Sequence, residues 1–382
     1  MIDIGRRLDE PVDRSLAGEV GPAVCGDCHH EADRTWRATA HGQRDATGEA
    51  HRAACEACHG PGTLHVDANE SVLRRVIVFA RGQGDPTIVH PQRIEVADRA
   101  QACAPCHAEP GSGASDRLDA VWPDHAARRP WQEIPSMQTS VCSRRGEMTC
   151  TSCHAMHQTS QTDAQLRSGL DRDSVCTQCH TSLVSPADRE RHSRHRQGPS
   201  EPGCIDCHMP SIVFGDRTVS RTHAVAIPRP GANPEVSRPD ACTLCHVNRD
   251  RAWAAMAAAA WWQQDLHRRP SAPETTRLLA GDAVERAVAA YALGRREADP
   301  LAEVTPRLEQ LIDVVTDDPD VDVRVVALRS VRDLVARQHP RVLRFVDDVD
   351  AIAARPERRR RVQALRDAVA AATADPLRRH RH

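Results

Sequence analysis

The chain has 382 residues, a formal charge of −2 and 40% hydrophobic residues; at about 150 residues per domain it accommodates two or three domains. The balanced charge excludes an electrostatic nucleic-acid footprint, and the longest unbroken apolar run, Ala252 to Trp262, is 11 residues, against about 20 for a membrane-spanning helix. Aromatic residues make up 3%, lysine is absent, and cysteine and histidine reach 15 and 21, so an ordinary aromatic-rich core is excluded.

Residues 1–20 are polar and charged, with no basic segment leading into an apolar one, so no secretory leader is visible. From residue 21 one pattern then recurs seven times, Cys-x-x-Cys-His. It falls at Cys25, Cys28 and His29, at Cys55, Cys58 and His59, and at Cys103, Cys106 and His107. It returns at Cys150, Cys153 and His154, at Cys176, Cys179 and His180, at Cys204, Cys207 and His208, and at Cys242, Cys245 and His246.

This is the pattern of covalent haem c attachment. Cysteines three apart on one helical turn reach both vinyl groups of a porphyrin as thioethers, and the next histidine projects at the iron. One copy alone would also fit a redox dithiol or half a zinc site. Neither needs a histidine after every pair, and here none of the pairs lacks it. The expectation is seven haems whose porphyrins supply the core, with some arginines pairing the propionates.

Ten of the other histidines lie in the same stretch: His30, His41, His51, His65, His90, His125, His157, His192, His195 and His223. Only His267, His339, His380 and His382 lie beyond it. That segregation marks most of the ten as second axial ligands. His157, three residues after His154, is expected to serve a neighbouring iron. Of His192 and His195, in an arginine-rich loop, one is expected to ligate. His90 and His125 adjoin proline turns and are weaker candidates, while His30 and His51 read as bystanders. Met156 and Met209 read as packing residues, and Cys142 is the unpaired cysteine, read as a buried or reduced thiol. Between motifs the chain reads as short helices and Pro/Gly loops with few strands.

Beyond residue 249 the composition turns to Ala, Leu, Val and Arg, without cysteine. Asp250 is expected to cap a helix running to about His267, Asp282 to open one closed by Gly294, and Thr305-Pro306 to start another. The segment from Asp282 aligns with that from Asp320, pairing Arg286 with Arg324 and Ala289 with Ala327; a weaker third copy holds Ala364. This period near 40 points to HEAT-type repeats. The fold expectation is therefore mainly α. A polar segment (1–20) precedes a heptahaem domain of short helices and loops (21–249), followed by an α-helical HEAT-like repeat domain (250–382).

Several strings resemble a known family. They are Cys25 to His41 (CxxCHxxxxxxWxxxxH), Cys55 to His65, and Ser140 to His157, joined by GPSEPGCIDCHMP, RTHAVAIPRP and DACTLCH. Their order and spacing resemble multihaem cytochromes c related to the tetrahaem cytochrome c-554 of ammonia oxidisers, over residues 21 to about 262. Members often carry C-terminal helical repeats. The resemblance implies closely packed haem pairs, an extracytoplasmic (periplasmic or extracellular) location, electron transfer, and His41, His65, His157, His195 and His223 as distal ligands. At His90 and His125 the chain departs from the family's pattern, so neither inherits a role.

The leading functional expectation is a haem wire between redox protein partners, which would dock on residues 250–382. The rival is a reductase or oxidase of a small nitrogen or sulfur compound at an open haem, and a third reading makes the repeats a scaffold. The more distant likeness to pentahaem nitrite reductase and hydroxylamine oxidoreductase does not extend to their chemistry. The first uses a CxxCK haem and this chain has no lysine; the second needs a cross-linking tyrosine, and the only tyrosine, Tyr291, lies in the repeats.

Overall fold

The computed structural model describes residues 18–42, 54–82, 84–91, 93–108, 133–145, 148–157, 159–161, 165–196, 201–213, 219–230, 240–264, 278–280, 282–295 and 301–373. The expectations for His51, His125 and His267 lie outside these residues. Two compact units are present. One comprises residues 1–110 with 138–181, the other residues 111–137 with 182–382. The units part after Thr181, inside the stretch that the sequence reads as one haem domain.

The first unit is a succession of short helices. They are α1 (Pro22–Gly26), α2 (His30–Arg37), α3 (Cys55–His59), α4 (Thr63–Asn69), α5 (Val72–Arg81), α6 (Ala104–His107), α7 (Val141–Arg144), α8 (Cys150–Cys153) and α9 (Ser174–Thr177), with a 3₁₀ segment at Val96–Ala102. Two short strands, β1 (Thr159–Gln161) and β2 (Leu166–Arg167), pair antiparallel. Glycine and small polar residues keep the helices short. Gly60, at φ 74°, ends α3, and Gly82, at φ 65°, ends α5, backbone conformations that only glycine adopts without strain. Trp36 is the one apolar side chain buried in this unit among the described residues. Five Cys-x-x-Cys-His motifs thus share a unit whose own side chains build almost no core.

The second unit contains α10 (Pro186–Ser193), α11 (Cys204–His208), the antiparallel pair β3 (Ser211–Val213) and β4 (Val219–Arg221), and then six helices. These are α12 (Arg251–Trp262), α13 (Ala283–Gly294), α14 (Leu301–Asp317), α15 (Val321–Gln338), α16 (Leu343–Asp347) and α17 (Arg355–Thr373). Leu293, Leu311, Ile312, Val323, Val326, Val331 and Leu365 are fully buried here, and Val213, Leu244 and Val247 from the last two motif segments join the same cluster. The chain therefore changes its means of cohesion along its length. The mainly α expectation holds, and strands are few.

Local signals explain most helix ends. Asp282 Oδ1 accepts from the Glu285 amide at 2.9 Å while Glu285 accepts from the Asp282 amide at 3.0 Å, a reciprocal cap on α13. Asp320 caps α15 in the same position, so the aligned segments start matching helices. The interval from α15 to α17 is shorter than that from α13 to α15.

Three expectations are corrected. Helix α12 is capped by Asp250, whose Oδ1 accepts from Trp253 N at 2.9 Å, but it stops at Trp262, because Gln263 turns to φ 54°. Helix α14 starts at Leu301, one turn before Thr305; Pro306 sits inside it, near the N-terminal end, where a missing donor costs least. Gly294 is the last residue of α13 rather than a left-handed cap, and its need is tertiary. A Cβ placed there would lie 2.3 Å from Ser330 Cβ on α15. Arg337 meanwhile donates to the Gly294 carbonyl at 2.7 Å. Gly294→Ala should therefore lower stability by about 2–3 kcal/mol, the scale of an overpacked contact, read as a reduced midpoint in denaturant titration of the holoprotein.

Candidate haem sites

Each motif forms one turn of helix. The amide of His29 donates to Cys25 O at 2.9 Å, and the same i→i−4 bond recurs at His107, His154, His180 and His246. Helices α3 and α11 span the other two motifs entirely. This geometry puts both cysteines on one face with the histidine beside them. Nearby acids and hydroxyls pre-form the turns. Asp206 Oδ2 accepts from Gly203 N at 2.8 Å, Asp240 Oδ1 accepts from Cys242 N and Thr243 N, and Asp171 Oδ1 accepts from Asp173 N and Ser174 N. Glu56, inside the second motif, accepts from the amides of Val20, Gly21 and Gly62, which ties the approach to the first motif onto the second. Burial alone would raise the Glu56 carboxyl; these three amides hold it below its usual range.

Consecutive motifs are neighbours. Cys55 hydrogen-bonds Cys25, whose thiol is pushed up to about 11, first by burial and then by that neighbour. The hydrogen bond to Cys150, then burial, raises Cys103, and burial beside Cys106 raises Cys58. Burial beside Cys179 raises Cys153. In the second unit burial carries Cys207 up to about 11 and raises Cys242, which sits beside Asp240 and Cys207. Among the described residues, no three His, Cys, Asp or Glu side chains gather as a metal-ion site.

The histidines are arranged in pairs, each joining a motif histidine to one outside the motifs. Ring centroids lie 6.0 Å apart for His29 and His65, 6.0 Å for His41 and His107, and 6.4 Å for His59 and His157. In the second unit they lie 6.1 Å apart for both His192–His208 and His195–His246. A metal–imidazole bond of about 2 Å and about 1.1 Å from nitrogen to ring centre, taken twice, place two axial imidazoles about 6.2 Å apart. The five pairs match that separation.

Seven ring Nδ1 atoms are held by hydrogen bonds, the outer contact that metal-ligating histidines commonly make. The Nδ1–H of His59 donates to Val89 O at 2.9 Å, that of His157 to Ala32 O at 3.1 Å, and that of His208 to Ala226 O at 2.9 Å. His195 donates to Ser193 O at 2.8 Å, His223 to Arg221 O at 3.1 Å, His65 to Asp85 Oδ2 at 3.0 Å, and His41 to Gln165 Oε1. In all seven the bond named engages Nδ1, the nitrogen that a histidine ligating through Nε2 turns outward. Burial alone would raise Asp85, yet hydrogen bonds from His65, Thr87 and Asn69 outweigh it and hold this carboxyl far below its usual range.

His41, His65, His157 and His195 each lie opposite a motif histidine. His223 shares their Nδ1 arrangement. His192 is the other member of the loop in which the sequence reading expects one ligand. It sits on the last turn of α10, its carbonyl held by Trp262 Nε1 at 2.8 Å, and both it and His195 face motif rings. Next to His90, the Val89 carbonyl accepts from His59 Nδ1. No described ring stands opposite His180, which is exposed. Trp253 lies 4.8 Å from His246, centroid to centroid.

With this geometry in hand, comparison with known proteins adds one finding. Residues 144–185 match the Doubled CXXCH motif family. The match spans the motifs at Cys150 and Cys176, and such a doubled motif supports a multihaem c-type cytochrome that binds haem c covalently and transfers electrons. No curated protein and no solved structure matches the chain. Among the described residues no helix is long and apolar enough to cross a membrane.

Proposed function

We propose that this chain is a periplasmic or extracellular heptahaem cytochrome that relays electrons between redox protein partners. The observation that carries the reading is the set of five imidazole pairs, each joining one motif histidine to one other histidine at axial-ligand separation. Haem, when bound, supplies a one-electron iron couple at each motif. The protein's part is to fix it: fourteen motif cysteines hold the porphyrin edges, and seven motif histidines serve as proximal ligands. His41, His65, His157, His192, His195 and His223 serve as distal ligands. Paired axial imidazoles close an iron to substrate, which suits transfer over catalysis. The neighbouring motif cysteines, first to fifth in one unit and sixth to seventh in the other, support a relay that follows the chain. The helices of 250–382 are read as a HEAT-like repeat surface for a partner, consistent with the cytochrome c-554 resemblance.

A second reading rests on His180. Its exposure, with no described ring opposite, favours an open iron there and reduction or oxidation of a small nitrogen or sulfur compound.

Two measurements test these readings. Pyridine haemochrome analysis of the mature protein should count seven haems per chain; a count of two, confined to the doubled motif, overturns the heptahaem reading. Electron paramagnetic resonance of the oxidised protein should show low-spin signals alone for a pure relay. A high-spin component that shifts with nitrite or hydroxylamine transfers the argument to the His180 reading.

A further inference from the structure

Six of the seven Nδ1 bonds named above end on neutral oxygens, namely five backbone carbonyls and the Gln165 amide. The seventh, from His65, ends on a carboxylate. Asp85 is built into its place. Its side chain is 9% exposed, and its Oδ1 accepts from Thr87 N at 2.9 Å, from Thr87 Oγ1 and from Arg74 at 3.4 Å. Its Oδ2 accepts from His65 and from Asn69 Nδ2. The arginine thus engages the oxygen that His65 does not. Asn69 also donates to the His65 carbonyl at 2.8 Å, so one network fixes both the ring and its acceptor.

We propose that Asp85 lowers the reduction potential of the haem held between His29 and His65, by drawing the Nδ1 proton of its axial imidazole. The inference rests on the axial role proposed for His65. A hydrogen bond to an ionised acceptor is about twice as strong as one to a neutral carbonyl, and a shielded site strengthens it further. The imidazole then carries more negative charge and is the more basic ligand. A more electron-rich ligand stabilises ferric over ferrous iron. Among the seven Nδ1 bonds described, this one alone ends on a carboxylate, so this centre lies lower in potential than it would with a neutral acceptor. Asp85 is a positioning residue, acting on the iron through His65.

The test is spectroelectrochemical titration of the fully haem-loaded protein, with the low-spin signals recorded in parallel. In Asp85→Asn one midpoint potential should move upward while the others hold and every haem stays low-spin. In Asn69→Ala the same component should move downward, because Oδ2, with one donor fewer, accepts more strongly from His65. A purely structural role would loosen the ring in both variants, moving both the same way and adding high-spin intensity. That outcome, or unmoved potentials in Asp85→Asn, overturns the proposal. His65→Ala separates the two levels: if it leaves all haems low-spin, the axial reading of His65 fails and the tuning role falls with it. If it creates one high-spin haem while Asp85→Asn changes nothing, only the tuning role fails.

Discussion

Chain produced without haem attachment will keep amide protection across helices α13 to α17 and lose it across the described residues of the first unit. The reason lies in what each part buries. Ordering the backbone of about one hundred residues costs on the order of 100 kcal/mol, whereas burying one large apolar side chain returns about 3 kcal/mol. In the first unit Trp36 is the one such side chain among the described residues. Short motif helices cannot make up the difference, since isolated helices of four to ten residues are unstable in water. Porphyrins inserted between the paired imidazoles would supply the missing apolar surface. The C-terminal helices need no such help, because Leu293, Leu311, Val326, Val331 and Leu365 are buried against one another. Hydrogen exchange read by mass spectrometry on the haem-free chain, beside the mature protein, decides the matter. Equal protection of the first unit's described residues in both forms would remove the porphyrin-core argument.

The legibility of this chain divides along the same line. The motif turns could be read from sequence, because attachment requires the cysteine spacing and the i→i−4 bond at each motif follows from local helix geometry. His41 and His65 lie a short distance in sequence beyond a motif, and each faces a motif histidine. Other features depend on contacts between distant segments. His192 faces His208, and its carbonyl accepts from Trp262, seventy residues later; nothing near His192 in sequence carries that information. Gly294 reads locally as a helix terminator, yet its requirement comes from Ser330 on another helix. Thr305-Pro306 looks like a helix start, but the chain winds one turn earlier. The contact of the His90 segment with a motif histidine has the same origin: the Val89 backbone carbonyl, invisible to any reading of side-chain types, provides it.

His192 and His195 provide the sharpest test of the pairing. Replacement of either by alanine should convert one low-spin haem to a high-spin, five-coordinate one that binds carbon monoxide. The double variant should convert two. Additivity follows because the rings face different motif histidines, His208 and His246, and share no iron. Were a single member of the loop a ligand, the double variant would match one of the singles. Alanine at His41, His65 or His157 should likewise open one haem each, and His223→Ala should do so on the strength of its Nδ1 bond to Arg221 O. Alanine at His30 or His90 should open none. Covalent haem content should remain at seven throughout, since the thioether cysteines are untouched, so absorbance per chain serves as the internal standard. A variant that loses haem altogether would report on folding; one that keeps seven haems and stays wholly low-spin would remove that histidine from the ligand set.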